Sequence, residues 1–283
     1  MDLQKTNSLI HMTDQEFEQI VSFVYKKFGI DLHKKRHLLE GRLSYTLKLK
    51  GMTSFSEYIK LILREDAEEE RQIFLNKITT NHSYFARENE HFDFLREEAL
   101  PQLTATRNHD LRIWSAGCSA GQEAYNTAMV IDQYFGSQKG KWDTTILATD
   151  ISSKVLTQAK QGIYPAEHLQ NLPAAWKSQY FNQLPDGSYQ VVEKIRREVV
   201  YRMFNLMDEF EYKKPFDIIF CRNVMIYFDA ETTRRLIEKF YQATADGGYL
   251  FIGHSESLAK GSPTSYTYLK PSIYQKLPKG GRR

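Results

Sequence analysis

The sequence predicts an all-α segment followed by an α/β domain with a doubly wound parallel sheet. In the first 80 or so residues, apolar side chains recur at helical spacing. From residue 111 onward, short apolar strands alternate with amphipathic helices, which is the pattern of a parallel sheet covered on both faces. At 283 residues, the chain is long enough for two domains that each bury a core.

Capping signals locate the first helices. Thr13 with Glu16, and Ser54 with Glu57, match the capping-box pattern, in which two side chains satisfy backbone N–H groups at a helix start. Gly29 is expected to end the first of these helices, because glycine adopts the left-handed conformation of a C-cap without strain.

A polar break separates the two parts of the chain. We predict a second helix over residues 33–48 and a fourth over 68–78, followed by a loop at 79–83 that is poor in helix formers. A further helix is expected over 88–100. Pro101 should close it, because proline lacks the N–H that a helix interior requires.

The remaining elements complete the predicted division into a helical domain over residues 1–85 and an α/β domain over 86–283. The predicted strands cover 111–115, 145–149, 217–221 and 249–253, and the predicted helices cover 120–135, 152–161 and 230–245. Gly187 and Ser188 punctuate a segment whose runs rich in Tyr and Val, at 189–192 and 199–204, predict antiparallel strands around a turn. We expect them to form a small antiparallel β-insert over about 181–204.

Composition restricts the possible functions. The net charge of +3 is too weakly basic to indicate nucleic acid as a partner. The chain has two cysteines, Cys118 and Cys221, which gives no disulfide framework and favours a reducing compartment; whether they lie close together stays open. No run approaches the roughly 18 apolar residues that a membrane span needs. We expect a cytoplasmic monomer without membrane insertion.

The segment FDIIFCRNVMIYFD, residues 216–229, predicts a ligand site. A buried strand ends there at Cys221, and Arg222 and Asn223 follow. In open α/β sheets, ligands bind at the carboxyl ends of the strands.

Two further residues are expected at the same edge of the sheet. Gly117 begins a glycine-containing turn that lets backbone amides approach a ligand, although a simple tight turn is an alternative. Asp150 ends the second strand and can accept hydrogen bonds from ribose hydroxyls or cap the next helix.

No metal site or catalytic triad is predicted. His33 and His37 have the i, i+4 spacing of helical metal ligands, but they lie among Lys34, Lys35 and Arg36, whose charges oppose a cation.

Five motifs resemble those of the CheR-type chemotaxis receptor methyltransferases, and the resemblance covers nearly the whole chain. In chain order they are ITTNHSYFARENEHF, IWSAGCSAGQEAY, ILATDIS, FDIIFCRNVMIYFD and GGYLFIGHSESL. The resemblance implies an S-adenosylmethionine-dependent methyltransferase domain behind an all-α domain. Its members transfer a methyl group to glutamate side chains of chemoreceptors, which forms methyl esters and releases S-adenosylhomocysteine.

The resemblance also implies site residues. Those expected to contact the cofactor are Asn81, Ser83, Arg87, Glu123, Asp150, Asn205, Leu206, Arg222 and Asn223. Ser83 stands where the family often has threonine, which keeps the hydroxyl. We expect Arg87 to orient carboxylates and Tyr227 to border the methyl path, although Tyr227 could instead pack in a core beside Phe228.

The helical domain is expected to dock the cytoplasmic helical domain of the receptor. Its basic residues are Lys34, Lys35, Arg36, Arg42 and Lys48, and they could steer the chain toward an acidic helical bundle. An ordinary solvated face is the alternative. Some relatives also bind a receptor C-terminal pentapeptide through a longer β-insert loop with a Gly-x-Gly element. This chain has a single glycine, Gly187, in the corresponding turn, so we predict independence from such a tether.

Two other functions remain open from sequence. A nucleic-acid methyltransferase on the same fold would have a broad basic surface and usually an Asn/Asp-Pro-Pro-aromatic element, which Cys221–Val224 does not match. A non-enzymatic module that senses S-adenosylmethionine would share the binding residues and is harder to exclude.

Overall fold

The structure is a computed structural model that describes residues 9–258 and 266–278. By contacts it divides into two units, one formed by Met1–Thr80 with Tyr227–Asp229 and the other by Asn81–Ile226 with Ala230–Arg283. Within the described ranges, no helix is both long and apolar enough to cross a bilayer.

The first unit is built from four α-helices whose apolar faces form its core. They are α1, Asp14–Phe28; α2, Arg36–Leu49; α3, Phe55–Ile62; and α4, Glu68–Ile78. The predicted capping box at Thr13 and Glu16 is confirmed, and Gly29 ends α1 in the left-handed conformation at φ +70°. The side chains that meet between the helices include Ile20, Leu43 and Phe74, all fully buried.

Two details of the predicted helices are wrong. The second helix starts at Arg36 and not at His33, because the Asp31 carboxylate accepts both the His33 backbone N–H (3.0 Å) and a ring hydrogen bond (2.7 Å), which holds the chain in a turn. Ser54 makes no capping hydrogen bond to the backbone. Its hydroxyl donates to Glu57 instead, at 3.0 Å.

The second unit contains a seven-stranded sheet with helices packed against it. The strands are β1, Ile113–Ala116; β2, Ile146–Asp150; β6, Val199–Met203; β7, Phe216–Cys221; β8, Thr244–Ile252; β9, Tyr266–Lys270; and β10, Ile273–Lys276. Their order is β6-β2-β1-β7-β8-β10-β9. The strands from β6 to β8 pair in parallel, and β10 and β9 add an antiparallel edge. The predicted α/β class is therefore confirmed.

The α-helices of this unit either precede β1 or lie between the strands. They are α5, Glu90–Phe94; α6, Leu100–Thr104; α7, Gln122–Phe135; α8, Ser153–Gln161; α9, Ala174–Tyr180; α10, Glu193–Arg196; and α11, Ala230–Ala243. A π-helical turn, Leu95–Ala99, joins α5 to α6. Pro101 therefore lies inside the first turn of α6 and does not end a helix as predicted. The first turn tolerates proline because its N–H groups have no intrahelical acceptor.

The β-insert is composed of other strands than predicted. It contains β3, Ile163–Tyr164; β4, Phe181–Gln183; and β5, Tyr189–Val191, in the order β3-β5-β4. The prediction that the run at 199–204 belongs to this insert is wrong. The run supplies β6, which pairs in parallel with β2 in the main sheet. Alternation of apolar residues predicts a strand but does not identify its partner.

The C-terminal hairpin of β10 and β9 has no counterpart in the predicted elements. Ser272 turns the chain between the two strands at φ +63°. The predicted frayed tail, residues 279–283, lies outside the described residues.

Candidate active site

The carboxyl ends of four parallel strands meet at one edge of the sheet. β1, β2, β7 and β8 are neighbours in parallel register, so the loops that follow them emerge side by side. Open α/β sheets bind their ligands at such an edge. The structure brings together there Glu123, Asp150, Arg222 and Asn223, which come from predicted motifs far apart in the chain.

The turn after β1 needs glycine for steric and conformational reasons. Gly121 has a φ of +91°, and a Cβ at this position would lie 2.6 Å from the Tyr201 hydroxyl. Ser119 in the same turn is also left-handed, at φ +50°, and its backbone N–H donates to Asp150 at 2.9 Å. The turn therefore directs its backbone toward the end of β2, and its shape depends on Gly121.

Asp150 is buried and anchored through both carboxylate oxygens. One oxygen accepts the Ser119 N–H and the other accepts the Ser152 N–H, each at 2.9 Å. Burial raises the pKa of Asp150 even though these hydrogen bonds act in the opposite direction. The alternative that Asp150 caps the next helix is wrong, because the Ser152 side chain caps α8 by accepting the Val155 N–H.

Arg222 is buried between two glutamates at the end of β7. Its guanidinium lies 3.1 Å from Glu88 and 3.2 Å from Glu123, and it also donates to the backbone carbonyl of Arg87. Glu123 accepts a further hydrogen bond from the Ser115 hydroxyl at 2.7 Å. Burial raises the pKa of Glu123 despite its contact with Arg222. One cation is thus shared by two largely buried carboxylates.

Glu88 joins this network, although sequence analysis did not identify it. Its carboxylate accepts hydrogen bonds from Arg222, from the Asn223 side chain (3.3 Å) and from the His254 N–H (3.3 Å). Burial opposes ionisation, but Arg222 and these hydrogen bonds together lower the pKa of Glu88. The sequence signal for Glu88 was its place in the RENEH motif, directly after Arg87. In the structure, the backbone of Glu88 is left-handed, at φ +53°.

Two histidines lie beside Glu88 in a group with metal-ligand spacing. A carboxylate oxygen of Glu88 and one ring nitrogen each of His91 and His254 all lie within 4.8 Å of one another. His91 is almost fully buried, and burial, with Arg222 nearby, lowers its pKa to about 3. Neither of its ring nitrogens has a hydrogen-bond partner among the described residues. The guanidinium of Arg222 already occupies the same Glu88 carboxylate, and its charge opposes a cation there.

The segment after Thr80 lies against the turn that follows β1. The Asn81 carbonyl accepts from the Ser119 hydroxyl at 3.0 Å, and the Ser83 carbonyl accepts from the Gln122 side chain at 3.3 Å. Arg87 is half-buried, and its guanidinium donates to the His82 carbonyl at 3.1 Å. The predicted cofactor residues of this segment therefore share an edge with those from the strand ends.

Asn205 and Leu206 follow β6 in a turn held by a lysine. The Asn205 side chain accepts the Met207 N–H at 3.1 Å. The Lys239 ammonium donates to the carbonyls of Leu206 (3.0 Å), Met207 (3.2 Å) and Asp208. Burial lowers the pKa of Lys239. This capping lysine comes from α11, and sequence analysis did not single it out.

Tyr227 groups by contacts with the helical unit. Its hydroxyl donates to the Thr80 carbonyl at 3.2 Å, and its own carbonyl accepts the Asp31 N–H at 2.8 Å. The neighbouring Phe228 pairs with Ile30 through an isolated β-bridge. Tyr227 is thus a half-exposed side chain and not a core residue.

The predicted docking residues fall into two classes. Lys34, Lys35 and Lys48 are exposed. Arg36 instead pairs with Asp14 at 2.6 Å and donates to the Met12 carbonyl at 2.9 Å.

Arg42 has a structural role at the end of α4. Its guanidinium donates to the carbonyls of Lys77 (3.3 Å), Ile78 (3.0 Å) and Thr79 (3.2 Å), where α4 leaves carbonyls without intrahelical partners. A side chain that caps a helix in this way has few donors left for another protein.

Comparison with known proteins identifies one family over almost the whole chain. A family model described as "CheR methyltransferase, SAM binding domain" matches residues 81–274, and another described as "CheR methyltransferase, all-alpha domain" matches residues 15–79. The chain is 44% identical over 278 residues to the chemotaxis protein methyltransferase of Borreliella burgdorferi, covering 96% of this chain and 98% of the relative. It is 35% identical to chemotaxis protein methyltransferase 2 of Vibrio cholerae, covering 96% of each. A weaker likeness, at 14% identity and a TM-score of 0.35 over 70% of each chain, is to the N-methyltransferase NodS of Bradyrhizobium japonicum in complex with S-adenosylhomocysteine.

Proposed function

This chain belongs to the CheR methyltransferase family, and from that premise we propose that it methylates glutamate side chains of chemoreceptors. Membership establishes S-adenosylmethionine-dependent methyl transfer in chemotaxis. The finer proposal is a protein-glutamate O-methyltransferase that forms glutamate methyl esters. We further propose that it acts in the cytoplasm as a monomer.

The charge balance at the carboxyl edge supports the cofactor contacts. Glu88 and Glu123 share the guanidinium of Arg222, and Asp150 adds a third buried carboxylate at the end of β2. S-adenosylmethionine carries a sulfonium, an ammonium and two ribose hydroxyls, all of which are attracted by carboxylates. An edge with more buried carboxylates than cations therefore fits this cofactor, and it is the observation that carries the proposal.

We assign cofactor binding to the residues that share this edge. They are Asn81, Ser83, Arg87, Glu123, Asp150, Asn205, Leu206, Arg222 and Asn223. Within this set, Asp150 is suited to the ribose hydroxyls, because it is a buried acceptor at the end of β2. Glu123 is suited to the ammonium group, because it is an anchored carboxylate paired with one cation.

Glutamate methylation requires no general base. A glutamate side chain in water has a pKa of about 4.3, so its carboxylate is already a nucleophile at neutral pH. The cofactor supplies a methyl group on a cationic sulfur. A carboxylate oxygen of the substrate forms the new O–C bond as the S–C bond breaks, the electron pair stays on sulfur, and no proton moves. The protein must therefore orient the reactants and exclude water.

Arg87 and Tyr227 are the proposed catalytic residues. Arg87 is half-buried and uses one guanidinium nitrogen for the His82 carbonyl, and a guanidinium offers five N–H donors in all. We propose that it orients the reacting carboxylate. Tyr227 follows the strand-end segment that contains Arg222 and Asn223, and we propose that it borders the methyl path.

The helical domain, residues 1–85 in this proposal, docks the receptor's cytoplasmic helical bundle. Three exposed lysines can attract acidic helices: Lys34, Lys35 and Lys48. The other two basic residues, Arg36 and Arg42, support the fold of the domain.

The Lys34→Glu variant should raise KM for the receptor several-fold at low salt with kcat unchanged. Lys60→Glu, a charge reversal at another exposed lysine of the unit, is the matched control. Equal effects of the two changes would contradict a localised docking face.

Labelled methyl transfer tests the proposed reaction. The protein is incubated with methyl-labelled S-adenosylmethionine and cytoplasmic fragments of chemoreceptors, and base-labile label on the fragment is the expected result. Base-stable label on the fragment would show another acceptor atom, and label on RNA in a parallel incubation would support the nucleic-acid alternative. Tight cofactor binding without transfer would support a sensing module.

The β-insert is the basis of the proposed independence from a pentapeptide tether. Its β4–β5 hairpin closes on a short turn, in which Leu184 N–H donates to the Ser188 carbonyl at 2.8 Å and the Asp186 carboxylate accepts the Ser188 N–H at 2.9 Å. We expect no micromolar binding of a receptor C-terminal pentapeptide by calorimetry. Heat of binding at that level would overturn this part of the proposal.

A further inference from the structure

Glu256 is a buried carboxylate that accepts five backbone N–H groups. One oxygen accepts the amides of Val224 (2.9 Å), Met225 (2.7 Å) and Ile226 (3.3 Å). The other accepts the amides of Asn223 (3.0 Å) and Gly253 (2.5 Å). Such a carboxylate is held as an acceptor and has little capacity left to contact a ligand itself.

These donors come from the ends of two neighbouring strands. Four of them belong to the loop after β7, and Gly253 directly follows β8. The strands pair in parallel, with Cys221 opposite Ile252. Glu256 therefore fastens the loop after β7 to the end of β8. The arrangement leaves no room for a side chain at position 253, because a Cβ there would lie 2.5 Å from the Asn223 side chain and 2.9 Å from Glu256.

The loop that Glu256 holds carries residues of the proposed cofactor site. Asn223 has a left-handed backbone at φ +59°, a conformation that a non-glycine residue keeps only when its surroundings impose it. Its side chain then reaches Glu88, which also receives Arg222. The hydrogen bonds of Glu256 fix the backbone from which these contacts start.

We infer that Glu256 is a positioning residue for the cofactor site, acting through the backbone of Asn223–Ile226 and not by contact with the ligand. The inference rests on the proposed assignment of Arg222 and Asn223 to that site. Glutamine at position 256 would replace one acceptor oxygen by an NH₂ donor that faces other donors. The loop after β7 would then lose some of its hydrogen bonds to position 256, and Arg222 and Asn223 would no longer be held in the binding conformation before the cofactor arrives.

A pair of isosteric variants separates this role from a general stabilising one. Asp217→Asn is the matched control, because Asp217 is also buried, lies at the opposite end of β7, and accepts the Arg112 N–H (2.9 Å) and the Arg107 guanidinium (2.5 Å). We expect Glu256→Gln to raise the Kd for S-adenosylhomocysteine by at least about tenfold, as for lost hydrogen bonds to a charged group. Asp217→Asn should lower Tm and leave that Kd unchanged.

Amide hydrogen exchange gives a second readout. The N–H groups of residues 223–226 and 253 should be protected in the wild type and exchange faster in Glu256→Gln than in Asp217→Asn. If Glu256→Gln does not fold, Glu256→Asp serves instead, because it keeps the charge and shortens the reach by one methylene. A folded position-256 variant with the wild-type Kd would overturn the inference, as would equal Kd changes in both isosteric variants. Because this assay involves no receptor, failure of receptor methylation would count against the proposed function alone.

Discussion

The two ends of strand β7 both carry buried charge but balance it differently. At the amino end, one carboxylate, Asp217, meets one guanidinium, Arg107, and one backbone amide. At the carboxyl end, one guanidinium, Arg222, is shared by Glu88 and Glu123. The amino end is a closed structural pair. At the carboxyl end, two largely buried carboxylates thus share one buried guanidinium, and the proposed cofactor site rests on that imbalance.

Left-handed backbone also occurs near the carboxyl end of β7. Three non-glycine residues near the carboxyl end, Glu88, Ser119 and Asn223, have φ values of +53°, +50° and +59°. Strained residues and incompletely balanced charges tend to occur at functional sites, where binding compensates for them. We therefore propose that the amino end of β7 serves stability and that the carboxyl end serves ligand binding.

The largest expected effect concerns Arg87, beside the carboxyl end. Arg87→Ala should lower kcat for receptor methylation by at least about 100-fold, because loss of orientation alone can have that effect. Tm should hardly change, since the side chain makes one hydrogen bond to a carbonyl. Arg96→Ala, which removes an arginine paired with Asp93 and Glu97 at the π-helical turn, is the control and should keep its rate. A near wild-type rate for Arg87→Ala would remove Arg87 from its proposed role.

The next prediction compares the arginines at the two ends. Arg222→Met leaves Glu88 and Glu123 without their shared cation and should cost about 3–5 kcal/mol of unfolding free energy, as breaking a buried ion pair does. It should also weaken cofactor binding. Arg107→Met should cost less stability, because Arg107 is partly exposed, and it should leave the cofactor Kd unchanged. Thermal denaturation and calorimetry measure both quantities. A higher Kd for the cofactor in Arg107→Met would contradict the proposed division of roles between the two ends of β7.

Glu123 gives a prediction with a defined pH dependence. Burial raises its folded-state pKa, so the unfolded chain ionises more readily and stability falls as pH rises through that folded pKa. Glu123→Gln should therefore equal or exceed the wild-type Tm without ligand near neutral pH, and the difference should shrink on acidification. The same variant should bind S-adenosylmethionine at least about tenfold more weakly. A Tm advantage that grows on acidification would contradict the assigned sign.

The smallest effect is expected at Lys239. Lys239→Met keeps the aliphatic stem but removes the ammonium that holds the carbonyls of Leu206 and Met207, so the Kd for S-adenosylhomocysteine should rise by about three- to tenfold. Lys276→Met is the control, because Lys276 holds the carbonyls of Tyr241 and Thr244 at the end of α11. Equal changes in Kd for the two variants would show that Lys239 has no specific role.

The sequence predicted the parts of the site that lie within continuous local patterns. Three segments show such a pattern, in which a short apolar run ends at polar residues: the strand before Arg222, the strand and glycine turn before Glu123, and the strand that ends at Asp150. Parallel pairing of the strands then brings these polar residues to one edge of the sheet. Glu88 and Glu256 were not identified, because neither directly ends a strand and most of their contacts are distant in sequence: Arg222 for Glu88, and the amides of residues 223–226 for Glu256.

The errors in the fold have similar causes. The run at 199–204 alternates as an insert strand would, and only its pairing with β2 shows that it extends the main sheet. Pro101 is a helix terminator in the interior of a helix but is compatible with a first turn. That distinction depends on the π-helical turn before it, which local sequence does not indicate.

The most direct test of the central claim is peptide-resolved mass spectrometry of a chemoreceptor cytoplasmic fragment after incubation with the protein and S-adenosylmethionine. The account predicts a gain of one methyl group on specific glutamates, reversed by mild alkali and largely absent with Arg87→Ala. Methylation of another residue type, or none on a receptor that the protein binds, would contradict it.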